Sequence, residues 1–215
     1  TIRYAESAYP AGPTDNTSAY YGTGNSINVT GLNPGTTYYF RAWSHATGGA
    51  LEQYSDNYSQ NTGTTLAGIA APTVVNNDAT SVEETSATLS GNITVTGGEN
   101  ADMRGFVWQP TTSVPADPGD TPPESSGYST NWTQHGDFST GNFTNGLSSL
   151  TEGVLYYYRA FAHNSAGWDY GNTEKEFLTK PTEPTGLNAS DNGTTWIYLT
   201  WTAGGSGNTT IRYAE

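Results

Sequence analysis

Cysteine is absent from the 215 residues, which excludes both a disulfide framework and a thiolate metal site. Positive charge is scarce, with 7 Lys and Arg against 20 Asp and Glu and a formal net charge of −13. A nucleic-acid binder needs a basic face to replace phosphate counterions, so that class of partner is excluded. No apolar run approaches the ~20 residues of a membrane helix, so no membrane insertion is expected from this segment. A leader peptide is also missing, but the chain opens inside a repeat and its absence says nothing. No helical period of apolar residues occurs anywhere. Gly (26) and Tyr (15) are abundant, together with Thr, Ser and Asn, a composition that suits strands and turns. An aromatic content of 13% speaks against a disordered chain.

One hexapeptide, Thr-Ile-Arg-Tyr-Ala-Glu, occurs twice, beginning at Thr1 and at Thr210, an offset of 209 residues. Such an identity in so short a chain reads as a repeat, with the sequence spanning just over one period of a longer polymer. The two terminal segments are then parts of one domain type, cut open at this strand.

Alternation at period two marks the strands. Ile197, Leu199 and Trp201 share one face of a strand, and 210–215 is expected to form the next, with Ile211 and Tyr213 on one face. In the first segment, 26–30 is expected as a strand with Ile27 and Val29 inward. Tyr38, Phe40, Ala42 and Ser44 line one face of a long strand, and Tyr39, Arg41 and Trp43 line the other. A polar hairpin follows, then a last strand near 58–65. Residues 66–71 read as a linker. Beyond it, Ala87, Leu89, Gly91, Ile93 and Val95 alternate with polar residues, Phe106 and Trp108 share a face, and 109–126 is a Pro-rich loop. Leu150 registers on Leu32, which aligns Gly153 with Gly35, Tyr156 with Tyr38, Arg159 with Arg41, Ala160 with Ala42 and His163 with His45. Two divergent copies of one all-β domain type therefore alternate, each a β-sandwich.

Leu32-x-Pro-Gly-Thr-x-Tyr38-x-Phe40-Arg41-Ala42 resembles the E–F corner of fibronectin type III domains. The Ile-x-Leu-x-Trp spacing that ends at Trp201 resembles their strand B, and Asn164-Ser-Ala-Gly167 resembles the turn after strand F. The resemblance implies tandem seven-stranded Ig-like sandwiches in which Tyr38 and Tyr156 form tyrosine corners, the hydroxyl bonding back to upstream backbone. Residues 1–65 are then the C-terminal part of one domain (strands C to G). Residues 66–180 are a complete second domain, and 181–215 are the N-terminal part (strands A to C) of the next copy of the first. The second domain departs from the pattern: Gly91 stands at the strand B Trp, with Trp108 expected to fill the space, and Glu152 replaces the corner Pro.

Residues able to do chemistry are few. His45, His135 and His163 have no ligand spacing, and the first and last recur at one fold position, which favours a structural role. Asp117, Asp120 and Glu124 could offer hard oxygens to calcium but read as a solvated acidic loop. Glu83 and Glu84 are adjacent on an extended stretch and point apart, so they cannot act as a carboxylate pair. No catalytic residue, metal or cofactor is expected, and no enzyme. Asn-x-Ser/Thr occurs at Asn16, Asn28, Asn57, Asn92, Asn131, Asn142, Asn188, Asn192 and Asn208, making these the candidate glycosylation sites. Alternation turns Asn28, Asn92 and Asn188 to solvent. Tyr39 and Trp43 flank Arg41, and Tyr157 and Phe161 flank Arg159, as outward residues suited to cation–π stacking or to contact with a partner.

The sequence thus reads as a structural repeat of an extracellular or cell-surface filament, stalk or fibre, N-glycosylated, whose partners are neighbouring repeats or subunits of itself and glycans. Its duplicated ends favour one continuous polypeptide over subunits joined by strand complementation. Two other readings stand beside it: an adhesin or carbohydrate-binding array, and a non-catalytic spacer in a secreted polysaccharide-degrading enzyme.

Overall fold

An extended backbone cannot satisfy its own N–H and C=O groups, so an apolar-alternating segment becomes a strand only beside another strand. The computed structural model describes residues 1–213 apart from Ser206, and nothing of the side chains of Asp191 and Asn192. It is nearly all β and divides into two compact units, Thr1–Gly68 and Ile69–Glu215.

The first unit contains β1 (Ile2–Ala5), β2 (Thr17–Tyr20), β3 (Thr37–Ala42), β4 (His45–Gly48), β5 (Leu51–Tyr54) and β6 (Ser59–Thr64). Four of these form one antiparallel sheet in the order β2-β1-β3-β6, and β4 and β5 pair as a hairpin. Ile2 lies opposite Ala42, and Tyr4 opposite Phe40. Directly opposed residues share a face, so Ile2, Tyr4, Tyr38, Phe40 and Ala42 form one apolar surface. Tyr4 meets Tyr38 edge-on at 5.5 Å and Phe40 at 5.8 Å. Tyr38 is buried, but Ile2, Phe40 and Ala42 remain partly exposed, because among the described residues of this unit no second sheet covers them.

The second unit continues with β7 (Thr73–Thr80), β8 (Ala87–Val95), β9 (Ala101–Pro110), a 3-10 turn (Pro123–Ser125), β10 (Thr130–Phe138), β11 (Gly141–Leu147), β12 (Leu155–Asn164), β13 (Gly167–Tyr170), β14 (Lys175–Leu178), β15 (Thr185–Asn192) and β16 (Ile197–Thr202). Its sheets run β11-β8-β7 and β10-β9-β12, with β13 and β14 both pairing on β12. Val74, Leu89, Ile93 and Phe143 of the first pack on Phe106, Tyr156, Tyr158 and Ala160 of the second, which makes a β-sandwich with Ig-like antiparallel sheets. Phe106 lies opposite Ala160 and Trp108 opposite Tyr158, the same register that places Ile2 opposite Ala42 and Tyr4 opposite Phe40. β15 and β16 form a separate two-stranded sheet.

Three expectations are corrected. Residues 26–30 form no strand, and Ile27 is 51% exposed; nothing is hydrogen-bonded beside them to complete a ladder. Residues 210–213 form no strand either, although the same letters at 2–5 are β1, which lies between β2 and β3 (Ala214 and Glu215 lie outside the described residues). Trp108 does not fill the space at Gly91. A Cβ there would stand 2.5 Å from the Ala160 Cβ and 3.0 Å from Phe143, so the β12 methyl group and the β11 phenyl ring together close the gap.

Gly91→Ala should therefore overpack the sandwich and destabilise it by ~1–3 kcal/mol. Urea unfolding followed by tryptophan fluorescence checks this; an unchanged midpoint would show that Phe143 does not depend on the missing side chain.

Candidate functional site

The recurring corner is the first feature that both units share. Gly35 (φ +63) and Gly153 (φ +62) turn the chain through the left-handed region that glycine enters without steric cost. Each turn delivers a tyrosine back onto the backbone just upstream of it. The Asn33 N–H donates to the Tyr38 hydroxyl at 2.8 Å, and the Thr151 N–H donates to the Tyr156 hydroxyl at 2.9 Å. Tyr38 also donates to Glu6 Oε1 at 2.9 Å, and its pKa is raised, first by burial. Glu152, at the corner position of Pro34, accepts the Thr182 N–H at 2.9 Å.

Several titratable side chains contact neighbouring strands and loops. His45 stacks on Tyr54 at 4.5 Å, with Nε2 3.9 Å from Glu52. His163 packs on Trp168 at 4.3 Å and meets Asp102 at 2.7 Å. The two equivalent histidines thus share an arrangement of aromatic and carboxylate neighbours, whereas His135 lies exposed on β10. Asp117 faces Arg159 at 3.4 Å and caps the Gly119 N–H at 3.0 Å, while Asp120 accepts the Trp168 N–H at 2.8 Å. These carboxylates diverge, Glu124 is exposed, and among the described residues no group of three His, Asp or Glu side chains is gathered as a metal set. Glu83 pairs with Lys180 at 2.6 Å.

The Pro-rich loop is a lid on the sandwich. Tyr128 joins Val107, Phe161 and Tyr170 in a second apolar cluster on the outer face of β9 and β12, and Tyr170 donates to the Thr121 carbonyl at 3.0 Å. Phe161 is consequently fully buried rather than outward, which corrects its place in an exposed stripe. Arg159 is buried too and donates to the Gly171 carbonyl at 2.8 Å instead of stacking. Tyr128 donates to Glu174, whose carboxyl is raised above its ordinary range chiefly by burial. In the first unit Arg41 does stack, but between Tyr9 (5.1 Å) and Tyr58 (4.1 Å), not between its strand neighbours Tyr39 and Trp43.

Two asparagines hold the sandwich together: Asn76, which the sequence pattern did not single out, and Asn164, expected only as part of a turn. Buried Asn76 accepts the Ala160 N–H at 2.6 Å and donates to the Gly171 and Thr173 carbonyls. Asn164 donates to the Ala70 carbonyl at 2.8 Å and to that of Thr96 at 2.9 Å. A signal for Asn76 was present, since it shares inward parity with Val74 on β7.

Of the Asn-x-Ser/Thr positions, Asn16, Asn28, Asn57, Asn131, Asn142, Asn188 and Asn208 are exposed, and Asn92 is half-buried. Asn92 lies directly opposite Asn142 across β8 and β11. The side chain of Asn192 falls outside the described residues.

Apolar and polar surface both remain open. On the first unit's sheet a cavity of about 590 Å³ is lined by Ile2, Tyr20, Ala42 and Trp43 together with Ser44 and Thr47, and another of about 330 Å³, lined by Tyr4, Glu6, Asn16, Asn33 and Tyr38, is mostly polar. On the hairpin of β15 and β16, Leu187, Ile197 and Trp201 are 64%, 62% and 43% exposed. A cavity of about 290 Å³ there brings Leu187 and Trp201 together with Ile211.

No family model matches this chain, and no curated protein matches it. Among solved structures, the sensor domain of the anti-sigma factor RsgI4 of Pseudobacteroides cellulosolvens is similar at 11% identity and a TM-score of 0.36, over 53% of this chain and 98% of that one. A set of titin domains is similar at 14% identity and a TM-score of 0.36, over 84% of this chain and 54% of that one.

Two measurements test the corner and the lid. Tyr38→Phe and Tyr156→Phe should each lose ~1 kcal/mol or somewhat more, because an N–H is left unpaired; equal unfolding midpoints would dissociate the hydroxyls from stability. Burial also raises Tyr128, Tyr158 and Tyr170 above the ordinary 10.0. Stability from these groups is therefore full below the unfolded value and is lost as pH rises above it. Alkaline titration should show three phenolates emerging only with loss of fold; early ionisation of all tyrosines would contradict the lid.

Proposed function

We propose that the chain is a structural repeat of an extracellular filament, stalk or surface fibre, built from tandem fibronectin type III-like sandwiches and N-glycosylated on exposed strands. The repeated hexapeptide at a spacing of 209 residues carries this reading. It is supported by the second copy of the corner, with matching glycine, tyrosine and hydroxyl hydrogen bond. The packing of His45 and His163 against aromatic and carboxylate neighbours, and the divergence of Asp117 and Asp120, support a non-catalytic role. Exposed Asn-x-Ser/Thr triplets support a sugar coat, which would shield polar strand faces and edges from pairing between neighbouring fibres.

Native material tests the proposal. Boiled in detergent, it should migrate far above the 22.8 kDa of this segment, and peptides spanning Asn28, Asn142 and Asn188 should lose mass on chemical deglycosylation. A sharp band near one period would overturn the continuous polymer, and unmodified peptides would overturn the glycoprotein.

A further inference from the structure

The first unit has one four-stranded sheet where the second has two packed sheets, and the hairpin of β15 and β16 stands as a separate two-stranded sheet. In the second unit, the sheet that covers Phe106, Tyr158 and Ala160 consists of β11, β8 and β7, with β8 central. The same register places Ile2, Phe40 and Ala42 at those positions in the first unit, yet they lie partly open. Counting back from Leu32 and Leu150 in the corner matches β11 with residues 23–29, which the stretch 25–30 overlaps from Asn25, at the place of Phe143, to Val29, at the place of Leu147. It stands without a partner strand. The strands matching β7 and β8 are β15 and β16: a hairpin with Leu187, Leu199 and Trp201 on one face and Leu199 in the place of Leu89.

We propose that residues 181–209 of one copy of this repeat complete the first unit of a second copy. β16 pairs with residues 25–30, β15 lies outside it, and Leu187, Leu199 and Trp201 close over Ile2, Tyr4, Phe40 and Ala42.

Three observations converge on this occupant. An isolated two-stranded hairpin is marginal in water and needs a third strand or a packing partner, and residues 25–30 offer the third strand. Side-chain volume is exchanged in register. The second unit has Gly91 with Phe143 opposite, whereas here Trp201 takes the glycine's place and Asn25 the phenylalanine's, so the large ring moves to the other strand and the layer keeps its volume. The chain also carries a copy of the surface to be covered. Ile211 is the repeat equivalent of Ile2, and it already lines a cavity with Leu187 and Trp201. That cavity shows in miniature how the hairpin meets the hexapeptide of the next copy.

The inference rests on the repeat reading but not on location, glycans or a continuous polypeptide, so the gel experiment above and the one below fail independently. Two variants of the 215-residue chain are made: Trp201→Asp spoils the donor face and Phe40→Asp spoils the receiving sheet. Sedimentation should show the parent growing with concentration into multiples of 22.8 kDa, each variant alone staying at that mass, and their mixture doubling it and going no further. The mixture needs only the receiving sheet of the Trp201→Asp chain and the hairpin of the Phe40→Asp chain, so local damage at either substitution does not prevent it. Ile211→Asp, which removes the internal competitor, should shift parent association to lower concentration. In the mixed dimer, residues 25–30 of the Trp201→Asp chain should gain amide protection from exchange. A parent that stays monomeric even with Ile211→Asp, variants that associate alone, or a mixture without the doubled mass would overturn the proposal.

Discussion

A strand is a relation between two segments rather than a property of one. The hexapeptide makes the point within one molecule. At 2–5 it is β1, bonded on both edges by β2 and β3; at 211–213, with the same letters, it is no strand. Side-chain alternation is identical in the two places and intrinsic preference is identical. Only the supply of neighbouring N–H and C=O groups differs. The rest of the first unit depends on the same constraint, from the open face of Phe40 to the extended but unpaired stretch at Ile27.

Local pattern was therefore readable to the degree that partners were near in sequence. The corner, the long strand from Tyr38 (which ends at Ala42 rather than at Ser44), the polar hairpin and the last strand near Thr64 follow from alternation and turn residues. So does β8 itself, but not its pairing with β7 and β11, the second of which lies beyond β9 and β10 in the chain. The failures at 26–30 and 210–213 share one cause: alternation reports which face is apolar, not whether anything stands beside it.

Side-chain placement failed for another reason. Parity along β12 correctly sets Arg159 and Phe161 opposite Tyr158 and Ala160. Parity cannot say that a loop from residue 111 onward folds back over that outer face and buries it. Composition suggests an irregular, solvated loop; Pro123 within it and Tyr128 just past its end are the available sign that part of it is core. The missing side chain at Gly91 is legible in sequence, but not what fills its place: Ala160 on the facing sheet and Phe143, a cross-strand neighbour that reaches β8 only after β9 and β10.

The register of β8 against β11 has a steric consequence for any modification of that face. Asn92 and Asn142 stand opposite each other, and neighbouring strands lie only ~4.7–4.9 Å apart. An oligosaccharide is several times wider than that spacing. The first sugar attached would shadow the other acceptor, and the half-buried Asn92 is the harder of the two to reach. Were both triplets acceptors, they would amount to one attachment point on the surface. A fibre of many such repeats would carry mixed occupancy there, an irregular bristle laid over a regular backbone.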